Sequence, residues 1–278
     1  MNKQQLAAKI WESANKMRSK IEANEYKDYI LGFIFYKFLS ETEIARLRAE
    51  DWGAEDLKGL DENDAETVQY VRDLCGYFIS YDNLFSTWIA SQSDFTIADV
   101  RDALSAFERN IDPARKRVFA GIFDTLQTGL SKLGTDEKSR SKAARDLIYL
   151  IKDIPMDSRQ DYDTLGFIYE YLISNFASNA GKKAGEFYTP SEVSQLMSEI
   201  VAWHLAGREE INIYDPTSGS GSLLIHIGQA VARRNGNPND IKYYAQELKE
   251  NTYNLTRMNL VMRGILPVSY THLTLPTT

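Results

Sequence analysis

The chain has 278 residues, of which 43% are hydrophobic and 26% are charged, and a formal net charge of −7. This balance excludes a disordered, collagenous or disulfide-stapled protein and leaves room for one large domain or two of ordinary size. The single cysteine, Cys75, excludes an intrachain disulfide and a multi-cysteine metal site, which fits a reducing cytoplasm. The three histidines are widely spaced, which argues against a histidine metal cluster: His204, His226 and His272.

Neither half of the chain is basic. Up to Pro155 there are 22 basic and 26 acidic residues, and after it there are 10 and 13. A nucleic-acid role would therefore need a local basic strip or a partner subunit. The most apolar stretch, residues 30–39, contains Lys37 and is much shorter than the roughly 20 residues of a membrane-spanning helix. The N-terminus carries charges throughout and does not resemble a secretion signal, so we expect a cytoplasmic protein without membrane contact.

The first half of the chain is predicted to be all-helical. Leu6, Ile10 and Met17 recur at helical spacing, and a longer helix is predicted over about 25–49. The centre of that longer helix is apolar on nearly every side, as expected for a helix enclosed by others. The acidic segment 51–64 is predicted to be a loop. Further helices are predicted at 68–78, 97–109, 118–133 and 143–154. No chemistry is evident in this half, which favours a packed interaction domain.

After Pro155 the pattern changes. Residues 161–179 are predicted to form a helix, and a further helix is predicted to begin with Thr189 as its cap. Pro190 suits the first helical position, and Glu192 would complete a capping box. The side chains predicted to form the buried face of this helix are Val193, Leu196, Met197, Ile200 and Val201.

Two short buried strands follow. INIYD (211–215) and IKYYAQE (241–247) are predicted strands, and helices are predicted after them over 222–234 and 250–263. The order helix, strand, turn, helix, strand, helix is the opening of a doubly wound α/β sheet.

Each predicted strand ends at an acidic residue, Asp215 in the first and Glu247 in the second. Ligands of open α/β sheets bind outside the carboxyl ends of the strands. The sequence Gly219-Ser220-Gly221 lets a ligand approach the backbone there and directs helix N–H groups at it. An acid after the second strand suits the hydroxyls of a ribose, so the pattern predicts a cofactor that contains a nucleoside.

The turn argues against a cofactor with phosphates. The dinucleotide fingerprint needs a third glycine where this chain has Leu224, and a P-loop needs a lysine where it reads GSLL. The nearest basic residue after the turn is Arg233, about three helical turns away. Asp215 would repel a phosphate but attract an ammonium group. S-adenosylmethionine carries an ammonium, a sulfonium and a ribose without phosphate, and it matches this charge pattern better.

The segment 215–224 (DPTSGSGSLL) resembles the cofactor-binding motif of adenine-specific DNA methyltransferases. It is especially similar to the motif in modification subunits of type I restriction–modification systems. The similarity extends over 185–197 (GEFYTPSEVSQLM), 163–173 (DTLGFIYEYLI), 245–265 (AQELKENTYNLTRMNLVMRGI) and the helical first half.

This resemblance implies an α then α/β protein. An all-helical N-terminal domain over residues 1–155 would precede the first part of a Rossmann-like, doubly wound S-adenosylmethionine-dependent methyltransferase domain over 156–265. Residues 266–278 carry no charge and have no evident counterpart in the family, so they are predicted to be a non-family tail. A foreign extension, a scar of expression or sequencing, and a divergent ending all remain open for this tail.

The resemblance also implies which residues bind the cofactor. Asp215 would bind the methionine end, and Glu247 would hold the ribose hydroxyls. Asn254 and Asn259 are interpreted as surface or capping residues. The backbone of the turn would contact the methionine end through Ser218, Gly219, Ser220 and Gly221. The segment that lies against the cofactor in the family corresponds here to Glu186, Phe187, Tyr188, Thr189, Pro190 and Ser191.

By the same resemblance, the protein would transfer a methyl group from S-adenosylmethionine to N6 of adenine at specific DNA sites. Its partners would be DNA, a specificity subunit, a restriction subunit and a second copy of the methyltransferase subunit. The family stacks the flipped base on an Asn/Asp-Pro-Pro-aromatic motif, but no Pro-Pro pair occurs in this sequence. We therefore expect this chain by itself not to methylate DNA, and we expect its second strand to keep an unpaired edge.

Two alternatives stay open. The chain could be a non-catalytic interaction subunit that retains a vestigial cofactor pocket. The other alternative is a nicotinamide-dependent oxidoreductase. It is disfavoured by Leu224 in place of the third glycine and by the negative charge of Asp215, which would repel phosphates.

Overall fold

The computed structural model describes residues 3–17, 23–154, 156, 167–168, 171–172, 189–235, 241–265 and 269–272. The chain divides into two units, residues 1–157 and 158–278. Helices build the first unit, and a parallel sheet with helices builds the second. The order of a helical unit followed by an α/β unit is the order that the sequence predicts.

Several helices of the first unit begin where side chains satisfy free backbone N–H groups. The α-helices in the described part of this unit are α1 (Lys3–Met17), α2 (Ala23–Ala49), α3 (Ala54–Lys58), α4 (Ala65–Cys75), α5 (Phe85–Ser91), α6 (Ile97–Arg109), α7 (Lys116–Phe119), α8 (Asp124–Gly129) and α9 (Glu137–Ile151). At the start of α6, the Asp99 carboxylate accepts a hydrogen bond of 2.6 Å from the backbone N–H of Thr96. At the start of α9, Asp136 accepts one of 2.8 Å from Ser139. Such caps fix where a helix begins.

Two predictions for this unit were wrong. The acidic segment 51–64 is not a continuous loop, because it contains α3. There the Asp56 carboxylate accepts a hydrogen bond of 2.7 Å from the backbone N–H of Gly53, and acidic side chains stabilise a helix start. The segment 118–133 is not one helix either. Gly121 lies between α7 and α8 with a φ of 66°, a left-handed conformation that interrupts a right-handed helix.

Helix α2 is enclosed by its neighbours, as its apolar centre predicts. Phe33 and Phe35 are fully buried. The ring of Tyr36 stacks on Trp88 with 4.6 Å between the ring centroids, and its hydroxyl donates a hydrogen bond of 2.9 Å to the carbonyl of Asn83. This aromatic contact joins α2 to α5.

Helix α2 also brings a carboxyl group into the same core. Glu43 is fully buried, and its Oε2 atom accepts a hydrogen bond of 3.0 Å from the backbone N–H of Ile79. Its Oε1 atom is buried and has no hydrogen-bond partner within the described part of the chain. Burial raises the pKa of Glu43 well above its usual range, against a smaller lowering by the bond from Ile79. The raised pKa favours the neutral acid in the folded state.

The second unit contains a parallel sheet in the order β1–β2–β3. Its elements are α10 (Ser191–His204), β1 (Ile211–Asp215), α11 (Ser222–Asn235), β2 (Ile241–Glu247), α12 (Glu250–Val261) and β3 (Ser269–His272). Strands β1 and β2 have the predicted bounds. Residues 167–168 and 171–172 of the predicted helix 161–179 are helical, and its other residues lie outside the described ranges.

One face of β1 and β2 packs against α11. Ile211, Ile213 and Tyr243 belong to the buried core of this unit, together with Leu224 of α11. Gly228 of α11 contacts the hydroxyl of Tyr243, and a side chain at position 228 would collide with it. The glycine therefore lets α11 approach the sheet closely.

The predicted buried face of α10 was wrong. Pro190 occupies the cap position, and the predicted capping box with Thr189 and Glu192 does not form. The buried residues of α10 are Ser194, Ser198 and Ala202. The five side chains predicted to be buried are exposed: Val193 at 45%, Leu196 at 63%, Met197 at 44%, Ile200 at 55% and Val201 at 38%.

Small and polar residues explain this orientation of α10. Ser194 and Ser198 let α11 approach closely, and Ser194 Oγ forms a hydrogen bond of 2.8 Å with Nδ1 of His226 on α11. At the other end of the contact, Glu199 pairs with Arg233 and Arg234, with N–O distances of 2.5 and 3.1 Å. The small buried residues allow the close contact with α11 and the hydrogen bond of Ser194 stabilises it, whereas the ion pairs of Glu199 are exposed and contribute little.

The expectation of an unpaired edge on β2 was also wrong. Strand β3 pairs with β2 in parallel, with Tyr244 opposite Ser269 and Glu247 opposite His272. A short strand therefore forms within the segment assigned to the tail. The domain boundaries drawn from the sequence stay a prediction.

Among the helices that the structure describes, none is long and apolar enough to cross a membrane.

We expect the stability of the first unit to fall as the pH rises, because Glu43 keeps its proton in the folded state after the unfolded chain has lost it. Each pH unit in this window costs about 1.4 kcal/mol. Glu43→Gln keeps the shape and the acceptor for Ile79 without this cost. The free energy of unfolding of this variant in urea, relative to the unsubstituted chain, should therefore increase as the pH rises above the usual pKa of a glutamate, about 4.3.

The exposed Glu50→Gln is the matched control and should follow the unsubstituted chain at every pH. The two free energies of unfolding, of Glu43→Gln and of the unsubstituted chain, could instead differ by the same amount at every pH. That result would contradict a buried carboxyl that stays neutral in the folded state.

We expect Cys75 to resist thiol reagents in the folded protein. Burial is the main cause that raises the pKa of this thiol to about 12, and Arg46 opposes the rise. At a given pH, the fraction of Cys75 that is ionised to thiolate in the folded protein should be on the order of 10³ times smaller than that of an exposed cysteine. Labelling with Ellman's reagent should be slow in buffer and fast in urea. Equal rates in the two solvents would show that the thiol is accessible without unfolding.

Candidate functional site

The acidic ends of β1 and β2 lie at the same edge of the sheet. Asp215 pairs with Ala245 in the parallel register, and Glu247 lies two residues further along β2. The glycine-rich turn at 216–221 starts from this edge and leads into α11. The structure thus brings together the two acids and the turn that the sequence singles out.

Backbone hydrogen bonds hold the turn in a tight conformation. The N–H of Ser218 donates to the carbonyl of Gln246 at 3.0 Å, which ties the turn to the end of β2. The N–H of Gly221 donates to the carbonyl of Ser218 at 2.7 Å and closes the turn. Gly219 and Gly221 have φ values of 57° and 79°, a left-handed region that side chains disfavour. Both glycines are therefore needed for the shape of the turn.

The Glu247 carboxylate accepts hydrogen bonds from three backbone N–H groups. Its Oε2 atom accepts one of 3.1 Å from Gly219 in the turn. Its Oε1 atom accepts bonds of 2.8 and 3.0 Å from Leu248 and Lys249, just before α12. Charge-assisted bonds of this kind are stronger than neutral ones, so the half-buried carboxylate fixes the turn against the end of β2.

Asp215 is buried at the carboxyl end of β1, with 8% of its surface exposed. Its Oδ1 atom accepts a hydrogen bond of 2.9 Å from the backbone N–H of Thr217. Burial raises the pKa of Asp215, the bond from Thr217 opposes this rise, and the negative charge of Glu247 adds to it. Two mutually repelling carboxylates at one edge create a site that favours a cation.

Helix α12 contributes contacts that the sequence analysis missed. Thr256 Oγ1 donates a hydrogen bond of 2.7 Å to the carbonyl of Gly219 and lies 3.1 Å from Ser218 Oγ. Asn259 Nδ2 donates one of 2.9 Å to the carbonyl of Ser220. The interpretation of Asn254 and Asn259 as surface or capping residues was wrong, because both are buried. The signal in the sequence was polar residues at helical spacing, 252, 256 and 259, in a helix that also carries apolar residues.

The remaining predicted site residues come just before α10 in the sequence or begin it. Glu186, Phe187 and Tyr188 lie outside the described residues. Thr189 and Pro190 are exposed, and Ser191 is half-buried at the start of the helix. The role of these six residues in cofactor binding stays a prediction.

The site suits a cationic ligand that carries hydroxyl groups. The two carboxylates can accept hydrogen bonds, and the turn presents backbone groups. Among the described residues, a Cβ at position 219 would meet only the carbonyl oxygen of Thr217, at 3.9 Å, so these residues leave the space beside the glycine open. Within the described ranges, no group of three or more His, Cys, Asp or Glu side chains could hold a metal ion.

An acid at the end of each of two parallel strands, with a glycine-rich turn between them, is typical of α/β domains whose ligands bind at the carboxyl ends of the strands. Family models match both units of the chain. Residues 6–151 match the HsdM N-terminal domain, and residues 160–272 match the N-6 DNA Methylase domain. The second match includes β3.

Individual relatives agree with these matches. The chain is 31% identical to the type I restriction enzyme MpnII methylase subunit of Mycoplasma pneumoniae, over 92% of this chain and 50% of the relative. A crystal structure of a type I restriction-modification system methyltransferase subunit from Streptococcus thermophilus is 32% identical, with a TM-score of 0.75 over 98% of this chain and 58% of that one. The chain thus spans about half the length of these relatives. It belongs to the family of type I restriction–modification methylase subunits, which confirms the resemblance found in the sequence.

We expect Gly221→Ala to disrupt the turn more than Gly219→Ala. Both positions have a positive φ, which costs roughly 1–2 kcal/mol for a residue with a side chain. A Cβ at position 221 would also lie 3.2 Å from Cγ2 of Thr256, whereas the space at position 219 is open. Hydrogen exchange of peptides that cover 216–224 should therefore be faster in Gly221→Ala than in Gly219→Ala. The reverse order would contradict the contact between Gly221 and Thr256.

Proposed function

We propose that this chain is the cofactor-binding part of a DNA adenine-N6 methyltransferase, which acts as the modification subunit of a type I restriction–modification complex. The observation that carries the proposal is the edge at which Asp215 and Glu247 flank the turn 216–221. Membership of the methylase-subunit family supports the reaction class. The names of the relatives support the assignment to a restriction–modification complex.

The residues of the edge fit S-adenosylmethionine. The buried Asp215 carboxylate would attract the ammonium group of the methionine end, and the N–H of Ser220 in the turn would donate to its carboxylate. Glu247 would accept hydrogen bonds from the ribose hydroxyls with lone pairs that its backbone partners leave available. The open space beside Gly219 would admit the ligand next to the backbone. When bound, the cofactor supplies a methyl group on a positively charged sulfur, which makes that group electrophilic.

The proposal assigns methyl transfer to the whole subunit and cofactor binding to this chain. The sequence contains no Asn/Asp-Pro-Pro-aromatic motif to hold a flipped adenine, so residues outside these 278 would have to supply it. The acidic balance of the chain also agrees with a specificity subunit that supplies DNA recognition. DNA, the specificity and restriction subunits and a second methylase subunit are therefore part of the proposal.

Calorimetry with S-adenosylmethionine tests the site. The unsubstituted chain should bind this cofactor and should not bind NAD⁺, because the acidic edge repels phosphates. Asp215→Ala should lower the affinity by about tenfold or more, the equivalent of losing about 1.4 kcal/mol. Glu210→Gln is the matched control, since Glu210 is exposed and precedes β1 at the opposite end of the strand. Equal affinities of Asp215→Ala and the unsubstituted chain would refute the role of Asp215, and a chain that binds no S-adenosylmethionine would refute the site.

The affinity should also depend on pH through Asp215. Protonation of this carboxyl removes its attraction for the ammonium group, and its raised pKa moves this loss to a higher pH than an exposed aspartate would show. Glu247→Gln removes a charge that raises the pKa of Asp215, so the midpoint of the loss should move to lower pH. If the pH midpoint of the affinity loss were the same in Glu247→Gln, the charge of Glu247 would not act on the carboxyl whose protonation weakens binding.

A further inference from the structure

Two side chains of α12 hold the carbonyl groups of the glycine-rich turn. Thr256 Oγ1 donates to the carbonyl of Gly219, and Asn259 Nδ2 donates to the carbonyl of Ser220. Thr256 is fully buried and Asn259 is 1% exposed. Two consecutive peptide groups of the turn therefore have their oxygen atoms directed at the same helix.

The direction of a carbonyl fixes the direction of the next N–H group. A peptide unit is planar and trans, so its C=O and N–H point to opposite sides. Because α12 holds the carbonyl of Gly219, the N–H of Ser220 points away from α12. The next N–H group, that of Gly221, is bound to the carbonyl of Ser218 and closes the turn. The N–H of Ser220 is thus oriented by a residue 36 positions away in the sequence.

Without the hydrogen bond from Thr256, the peptide group between Gly219 and Ser220 could rotate. Gly219 has the wide conformational freedom of a residue without a side chain, and the residues that the structure describes leave the space beside it open. Rotation of the peptide between Gly219 and Ser220 would exchange an N–H donor for a carbonyl oxygen on the ligand side. A carbonyl repels an anionic group that an N–H binds, so the orientation of this one peptide decides whether the turn accepts a carboxylate.

We propose that Thr256 and Asn259 are positioning residues, which keep the turn able to bind the carboxylate at the amino-acid end of the cofactor. This inference rests on the proposed function, because it assumes that S-adenosylmethionine binds at the acidic edge. It adds residues of α12 to a site that had been assigned to the strand ends and the turn. The two residues act through the backbone of the turn and not by contact with the reacting atoms.

Two ligands separate this role from a merely structural one. S-adenosylhomocysteine carries the amino-acid carboxylate, whereas 5′-methylthioadenosine keeps the nucleoside and the sulfur and lacks the amino-acid end. In Thr256→Val, which keeps the shape and loses the hydroxyl, the affinity for S-adenosylhomocysteine should fall at least tenfold. The affinity for 5′-methylthioadenosine should change less than twofold. Asn259→Ala should show the same selective loss.

Matched variants complete the experiment. Thr256→Ser keeps the hydroxyl and should retain binding of S-adenosylhomocysteine. Thr252→Val makes the same substitution one helical turn earlier, at a buried threonine whose hydroxyl donates to Asn251, and should leave both affinities unchanged. An equal loss for both ligands in Thr256→Val, or no loss for either, would overturn the inference and leave the proposed function standing. If the unsubstituted chain bound neither ligand, the proposed function would fail and the inference with it.

A measurement without ligand tests the hold on the turn itself. Hydrogen exchange of peptides that cover 216–224 should be faster in Thr256→Val than in Thr252→Val and in the unsubstituted chain. Unchanged exchange in Thr256→Val would overturn the inference whatever the binding data show.

Discussion

The second unit depends on the hydrogen bond between the Glu247 carboxylate and the backbone N–H of Gly219. It joins the turn after β1 to the residue that ends β2, and the same carboxylate accepts the N–H groups that lead into α12. One side chain thereby sets the relative position of both strand ends and of the helix beneath the turn. Burial is the main cause of the raised pKa of Asp215, and the negative charge that makes these bonds strong adds to it, so Glu247 contributes to both the structure and the electrostatics of the site.

Local signals in the sequence were sufficient for the strands and for the placement of the acids. INIYD and IKYYAQE are short runs of strand-forming residues, and the turn that follows the first contains proline and glycine, which explains why the bounds of β1 and β2 were predicted correctly. The position of Asp215 beside Glu247 followed from a general property of parallel sheets. The assignment to a methylase subunit came from the resemblance of several ordered motifs.

Long-range packing explains what the sequence could not provide. An apolar stripe and a stripe of small residues both run along α10, and the sequence of this helix alone does not show which one packs against α11. Strand β3 lies in the segment that was set aside as a non-family tail, so its pairing with β2 was not expected. Asn259 was misread because its partner is a carbonyl 39 residues away, which no local pattern contains.

The parallel arrangement has a consequence for how the protein folds. Strands β1 and β2 become neighbours only after the chain between them, which includes α11, has closed back on the sheet, and such closure is slow compared with forming a helix. The edge that would receive the cofactor therefore exists only when these distant segments have assembled. A ligand that binds there recognises the assembled state alone, so its binding energy adds to the resistance of this unit against unfolding.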